Sequence, residues 1–196
     1  MAPLQAKHVK VCLECHQNLA DPGLARAHSK HEAEVSCLDC HMPRIVQGVS
    51  SLLRSHRIDS PSNPAMLERS VNACNLCHLD RSVAWTMRAL NESHGQAFIV
   101  PRGPEQPAAL QWLSSEQRIE RLTAAGALGI SPLGPRYLPT LLSMLNDPVA
   151  YDRLRYLWAI EEILGRPLSE AEYSLTGTPE WRRNQTLGLR SMVVSP

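Results

Sequence analysis

The chain has 196 residues, enough for one domain of ordinary size or two small ones. Aromatic residues make up only 5% of it, so a well-filled interior would need apolar surface from another source. Its 20 basic and 19 acidic residues leave a formal charge of +1 with no block of one sign, which argues against a nucleic-acid arm.

Met1-Ala2-Pro3-Leu4 runs directly into charged sequence, without the basic start and apolar stretch of a signal peptide. No apolar run approaches the roughly 20 residues needed to span a bilayer. All six cysteines then fall in three pairs, each followed at once by histidine: Cys12-Leu13-Glu14-Cys15-His16, Cys37-Leu38-Asp39-Cys40-His41 and Cys74-Asn75-Leu76-Cys77-His78. C-x-x-C-H is the attachment pattern of c-type haem. Its two thiols lie on one side of a single helical turn and add to the two vinyl groups of one haem. The next histidine reaches the iron as proximal ligand. Zinc sites and redox dithiols also use paired cysteines, but neither requires the trailing histidine. Chance placement of all three histidines has a probability on the order of one in ten thousand. The expectation is three haem c groups, held by the six cysteines and by His16, His41 and His78. They supply the missing apolar surface, and their propionates make the loaded protein mildly acidic.

Five histidines remain, enough for bis-histidine ligation of every iron. His28 and His31 are three apart, a spacing that on a helix shares one face, so they can serve two neighbouring haems. His56 lies beside Arg54 and Arg57, which are expected to pair with propionates. His28, His31 and His56 are the candidate distal ligands. His8 and His94 are weaker candidates, and replacing His94 is expected to be silent. Met42 and Met66 read as packing residues.

The stretch from Ala27 to Trp85 resembles the cytochrome c-554-like and doubled C-x-x-C-H multihaem proteins. The residues that carry the likeness are His28-x-x-His31, Cys37 to Pro43, Ser55 to Ile58, Asn72 to Ser82 and Trp85. The resemblance covers about 60 residues. It implies distal roles for His28, His31 and His56, and it allows that one haem stays five-coordinate.

The expected fold is mainly α, with little regular structure around the haems. Residues 1–98 form a trihaem cytochrome c domain of few, short helices, with a turn over residues 60–64 and a helix from Arg81 to Leu90. Residues 99–107, with three prolines and a glycine, read as a linker. Residues 108–196 lack Cys and His and carry helical periodicity. Ser114 with Gln117 suggests a capping box ahead of a helix over Ser115 to Leu128, ended by Gly129. Further helices are expected over Arg136 to Asn146, from Pro148 to Leu164 before Gly165, and from Pro179. The run from Tyr137 through Asp147-Pro148 to Ile160 resembles a HEAT-type repeat, and a small helical bundle is an equal alternative.

The function expected is electron transfer rather than catalysis, with redox proteins docking at haem edges and on the helical domain. No nucleic acid and no membrane span are expected. The alternatives are a multihaem redox enzyme with one open iron, and a structural subunit of a larger complex or haem filament. Haem attachment places the chain in the periplasm or outside the cell, although no signal peptide is evident. Truncation after Val100 is expected to leave all three haems in place.

Overall fold

The second and third cysteine pairs sit in short helical turns whose starts are capped by the preceding residue. The computed structural model describes residues 2–32, 34–47, 52–69 and 71–194, leaving the side chains of 2–8, 66, 68, 69 and 192–194 undescribed. Helix α1 (Ala2–Cys15) ends in the first pair. Helix α2 (Pro22–Ser29) begins with Asp21, whose carboxylate accepts from the Leu24 N–H, and ends at Lys30 in the left-handed conformation with φ 59°. Helix α3 (Cys37–His41) carries the second pair and opens on a Ser36–Asp39 capping box. A hairpin follows, β1 (Arg44–Val46) against β2 (Leu52–Arg54), antiparallel with Ile45 opposite Leu53. Helix α4 (Pro64–Arg69) leads to α5 (Ala73–Cys77), which carries the third pair and is capped by Asn72. Helix α6 (Val83–His94) starts on the Ser82 hydroxyl and ends at Gly95, φ 61°.

The fold is mainly helical, as expected, and the first half holds only short elements apart from α1 and α6. The second half consists of α7 (Ala108–Leu113), α8 (Arg118–Gly129), α9 (Gly134–Met144), α10 (Ala150–Leu164) and α11 (Pro179–Val194). Helix α7 was not expected, because the capping-box reading assigned Ser114 to the start of the next helix. Instead Ser114 closes α7, its hydroxyl donating back to the carbonyls of Leu110 and Gln111. That use of the hydroxyl removes it as a cap, and α8 starts only at Arg118. Gly165 does end α10 in a left-handed conformation, φ 67°.

Helix α8 packs along α10 and also contacts α7 and α9, while α9 packs on α10 and α11. Close approach is built in. A Cβ on Gly129 would lie 3.0 Å from the Cα of Ala159 on α10. Gly129→Ala must therefore push two helix backbones apart. We expect a loss of about 1–3 kcal/mol, read from chemical unfolding. The fully buried Asp152 is held by Arg118 and Arg121 of α8, which pins the same pair of helices.

The main core does not stop at residues 99–107. Val46, Val71 and Leu79 belong to one buried cluster with Trp112, Leu128, Leu141, Tyr156 and Ile160. The hairpin lies on α8, where a Cβ on Gly126 would come within 2.9 Å of Leu52 and Thr123 Oγ1 accepts from the Val46 N–H. The stretch after the third pair is stitched to α7 by two backbone hydrogen bonds, Ala108 N–H to the Arg81 carbonyl and Ala109 N–H to the Leu79 carbonyl.

Candidate haem-binding site

The second and third cysteine pairs lie side by side, because α3 packs on α5. Burial raises the Cys40 thiol above its usual range and pushes the Cys74 thiol up to about 11, with the neighbouring thiols adding to both. The third pair is the more embedded. Its Asn75 is fully buried, accepts from Thr86 Oγ1 at 2.7 Å, and donates to the carbonyls of His78 and Arg81 at 3.1 Å. In the second pair, the half-exposed Asp39 accepts from the Ser36 N–H and hydroxyl and from Arg54 at 2.6 Å. Burial works against its charge, but these partners prevail and hold the carboxyl below its ordinary range.

The histidines form two facing pairs. The His28 and His41 rings lie 6.2 Å apart between centroids, with planes only 10° from parallel. The His31 and His78 rings lie 6.0 Å apart. These distances are too long for ring-on-ring contact. They match an iron bound by one imidazole nitrogen on each side at about 2 Å, which sets ring centroids roughly 6.3 Å apart. In length, each separation would leave room for an iron between two imidazoles.

Hydrogen bonds set the tautomers. His41 Nδ1 lies 2.8 Å from the Asp59 carbonyl oxygen, and His31 Nδ1 lies 2.7 Å from the Ser29 carbonyl oxygen. A carbonyl only accepts, so in both rings Nδ1 carries the proton and the Nε2 lone pair is left for a metal. His28 is lowered from its ordinary range by burial, then by His41, His94 and His16 around it. His78 is lowered by burial and by His31 and Arg81, against the pull of Asp80. Both shifts favour the neutral imidazole, the form that ligates. Apolar surface is also available for a flat ring. Val11, Leu24 and Ile58 are 65%, 51% and 73% exposed. They stand next to the first pair, one helical turn before His28, and beside Asp59.

Two expectations about the reason for this arrangement are corrected. His28 and His31 do not share a helical face, because α2 ends at Ser29 and the left-handed Lys30 swings His31 away. That turn is what sends neighbouring histidines to different partners. Arg54 and Arg57 do not stand free for propionates, since they pair with Asp39 and with Asp59 at 3.1 Å. His16 lies close enough to His28 to disfavour its charging. His56 is exposed in the bend after β2, with no ring contact to a proximal histidine among the described residues. The side chains of His8 and Met66 fall outside the described residues. His94 uses both ring nitrogens, Nδ1 at 2.7 Å from Ser93 Oγ and Nε2 at 2.9 Å from the His28 carbonyl oxygen. The residue that sequence reasoning undervalued is Trp85, whose ring is 5.0 Å from His78 and lies under the Arg81 guanidinium. Among the described residues no group of three or more His, Cys, Asp or Glu is arranged to hold a single ion.

Three C-x-x-C-H turns, with two pairs of histidine rings 6.2 and 6.0 Å apart, agree with a c-type cytochrome. The family model described as cytochrome c552 matches residues 24–98, which take in the second and third cysteine pairs and both facing histidine pairs. That match supports a c-type cytochrome and haem-based electron transfer. No curated protein and no solved structure matches the chain.

Proposed function

We propose that this chain is an electron-transfer protein carrying three covalently bound c-type haems. It relays electrons between redox partners or within a larger complex. The observation that carries this reading is the spacing of the two facing pairs, His28 with His41 and His31 with His78, at 6.2 and 6.0 Å. Bound haem supplies the one-electron iron couple. The chain closes both faces of two irons with imidazole, which favours electron transfer over binding of a substrate. It also places α3 beside α5, so that two attachment turns adjoin. His56 is the distal histidine left for the first haem once His28 and His31 are assigned, and His8 is the reserve.

The helical half supports a HEAT-like reading. Helices α7, α9 and α11 alternate with α8 and α10, and like packs on like in the α8–α10 and α9–α11 contacts. We read this half as the surface that docks a redox partner. Among the described residues no helix is long and apolar enough to cross a membrane. Thioether attachment places the working protein in the periplasm or beyond.

The test is a haem count with a spin-state spectrum. Intact mass should exceed that of the bare chain by three haems, and haem stain should survive denaturing electrophoresis. The second and third haems should be low-spin, and reduced protein should bind carbon monoxide at no more than one iron. Zinc without haem would end this reading.

A further inference from the structure

Helix α6 touches both facing pairs. It begins directly after the third cysteine pair, and Trp85 in its first turn lies 5.0 Å from the His78 ring. Roughly 13.5 Å further along, at a rise of 1.5 Å per residue, it ends at His94. There the imidazole Nε2–H donates across 66 residues of sequence to the carbonyl oxygen of His28 at 2.9 Å. That carbonyl is one of the last in α2, where a helix leaves its acceptors without partners of its own. The ring of His94 is oriented in turn by Ser93 Oγ at 2.7 Å. A closed circuit results. It runs from His28 through Lys30 to His31, across to His78, onto Trp85, along α6 and back through His94 to His28.

The geometry points to His94 as a positioning residue for the second haem: through α6 it fixes where His28 stands relative to His41, at a distance set from the third haem's ligand. His94 touches no iron in this arrangement, because both its nitrogens are engaged. The inference rests on the ligand roles proposed above for His28 and His41. A silent His94 would have no reason to be held at both ring nitrogens.

The experiment uses the full-length haem-loaded chain, compared as wild type, His28→Ala, His94→Ala and His94→Gln, with haem count measured for each. Low-temperature electron paramagnetic resonance of the oxidised protein resolves the low-spin irons. Carbon monoxide binding to the reduced protein reports how firmly a distal imidazole is held. In His28→Ala one low-spin signal should become high-spin, which identifies the second haem. In His94→Ala that same signal should shift and broaden while the others stay. Carbon monoxide should then displace the loosened ligand about fivefold to tenfold faster, the size of one lost hydrogen bond. His94→Gln keeps a side-chain N–H donor and should restore most of the signal. If His94→Ala is not recovered folded, Ser93→Ala removes the orienting contact, together with the hydroxyl's own bond to the Ala89 carbonyl, and should give the same shift at smaller amplitude. Spectra of His94→Ala that superimpose on wild type, or equal movement of all signals, overturn the inference and leave the ligand assignment intact. An unchanged spectrum in His28→Ala overturns both.

Discussion

A chain ended at Val100 is expected to lose its third haem and to aggregate, not to persist as a trihaem protein. The sequence favoured the opposite outcome, because ligands stop and helical periodicity begins near Ile99. Packing reverses the expectation. Truncation would strip cover from Val46, Val71 and Leu79, which are at most 8% exposed, and remove the apolar partners of Leu52 and Leu76. Each large side chain so uncovered costs about 1.5–3 kcal/mol, which together approaches the whole stability of a small domain. It would also break the two hydrogen bonds from α7 that hold the Leu79 and Arg81 carbonyls, one and three residues after His78. The third attachment turn should therefore fail first. Haem count per chain and the soluble fraction after expression check this. Three haems in a soluble product would show that the first half folds alone.

The second large effect concerns which histidine serves which haem. His31→Ala should leave the third haem high-spin and able to bind carbon monoxide, and His28→Ala should do the same for the second. The pairing is testable by removing one haem. In a chain with Cys74→Ala and Cys77→Ala, which cannot attach the third haem, adding His31→Ala should create no further high-spin iron. Adding His28→Ala should still create one. Equal effects of both substitutions in that background would mean that the rings are exchanged between haems. Spin state by magnetic circular dichroism separates these outcomes.

The attachment turns were legible because the chemistry is local: two thiols and an imidazole within five residues need one helical turn and little else. Helix ends set by a single residue were legible too, as at Gly165. Other features depend on contacts distant in sequence. The hairpin is three residues per strand, too short to show alternation, and it exists because α8 offers Gly126 as a seat for Leu52. The direction taken by His31 depends on a left-handed lysine, a conformation that sequence marks by glycine or asparagine but rarely by lysine. Leu79 reads as one more apolar residue after a haem pair, yet it is fully buried in the core of the other half.

The three C-x-x-C-H turns look alike as strings but differ in modularity. In the first, the intervening Leu13 and Glu14 are half-buried and exposed, so that turn stands at the margin of the molecule. In the second, Asp39 is the counter-ion of Arg54, which faces Arg44 directly across the hairpin. Without that carboxylate two guanidiniums would oppose each other at the ribbon's open end. In the third, Asn75 is the hub of a buried polar network, and Leu76 leans on the main core. Among the described residues the first motif thus contributes nothing to the buried core clusters. The second and third are not interchangeable parts, because residues that the attachment chemistry leaves free are already committed to the fold.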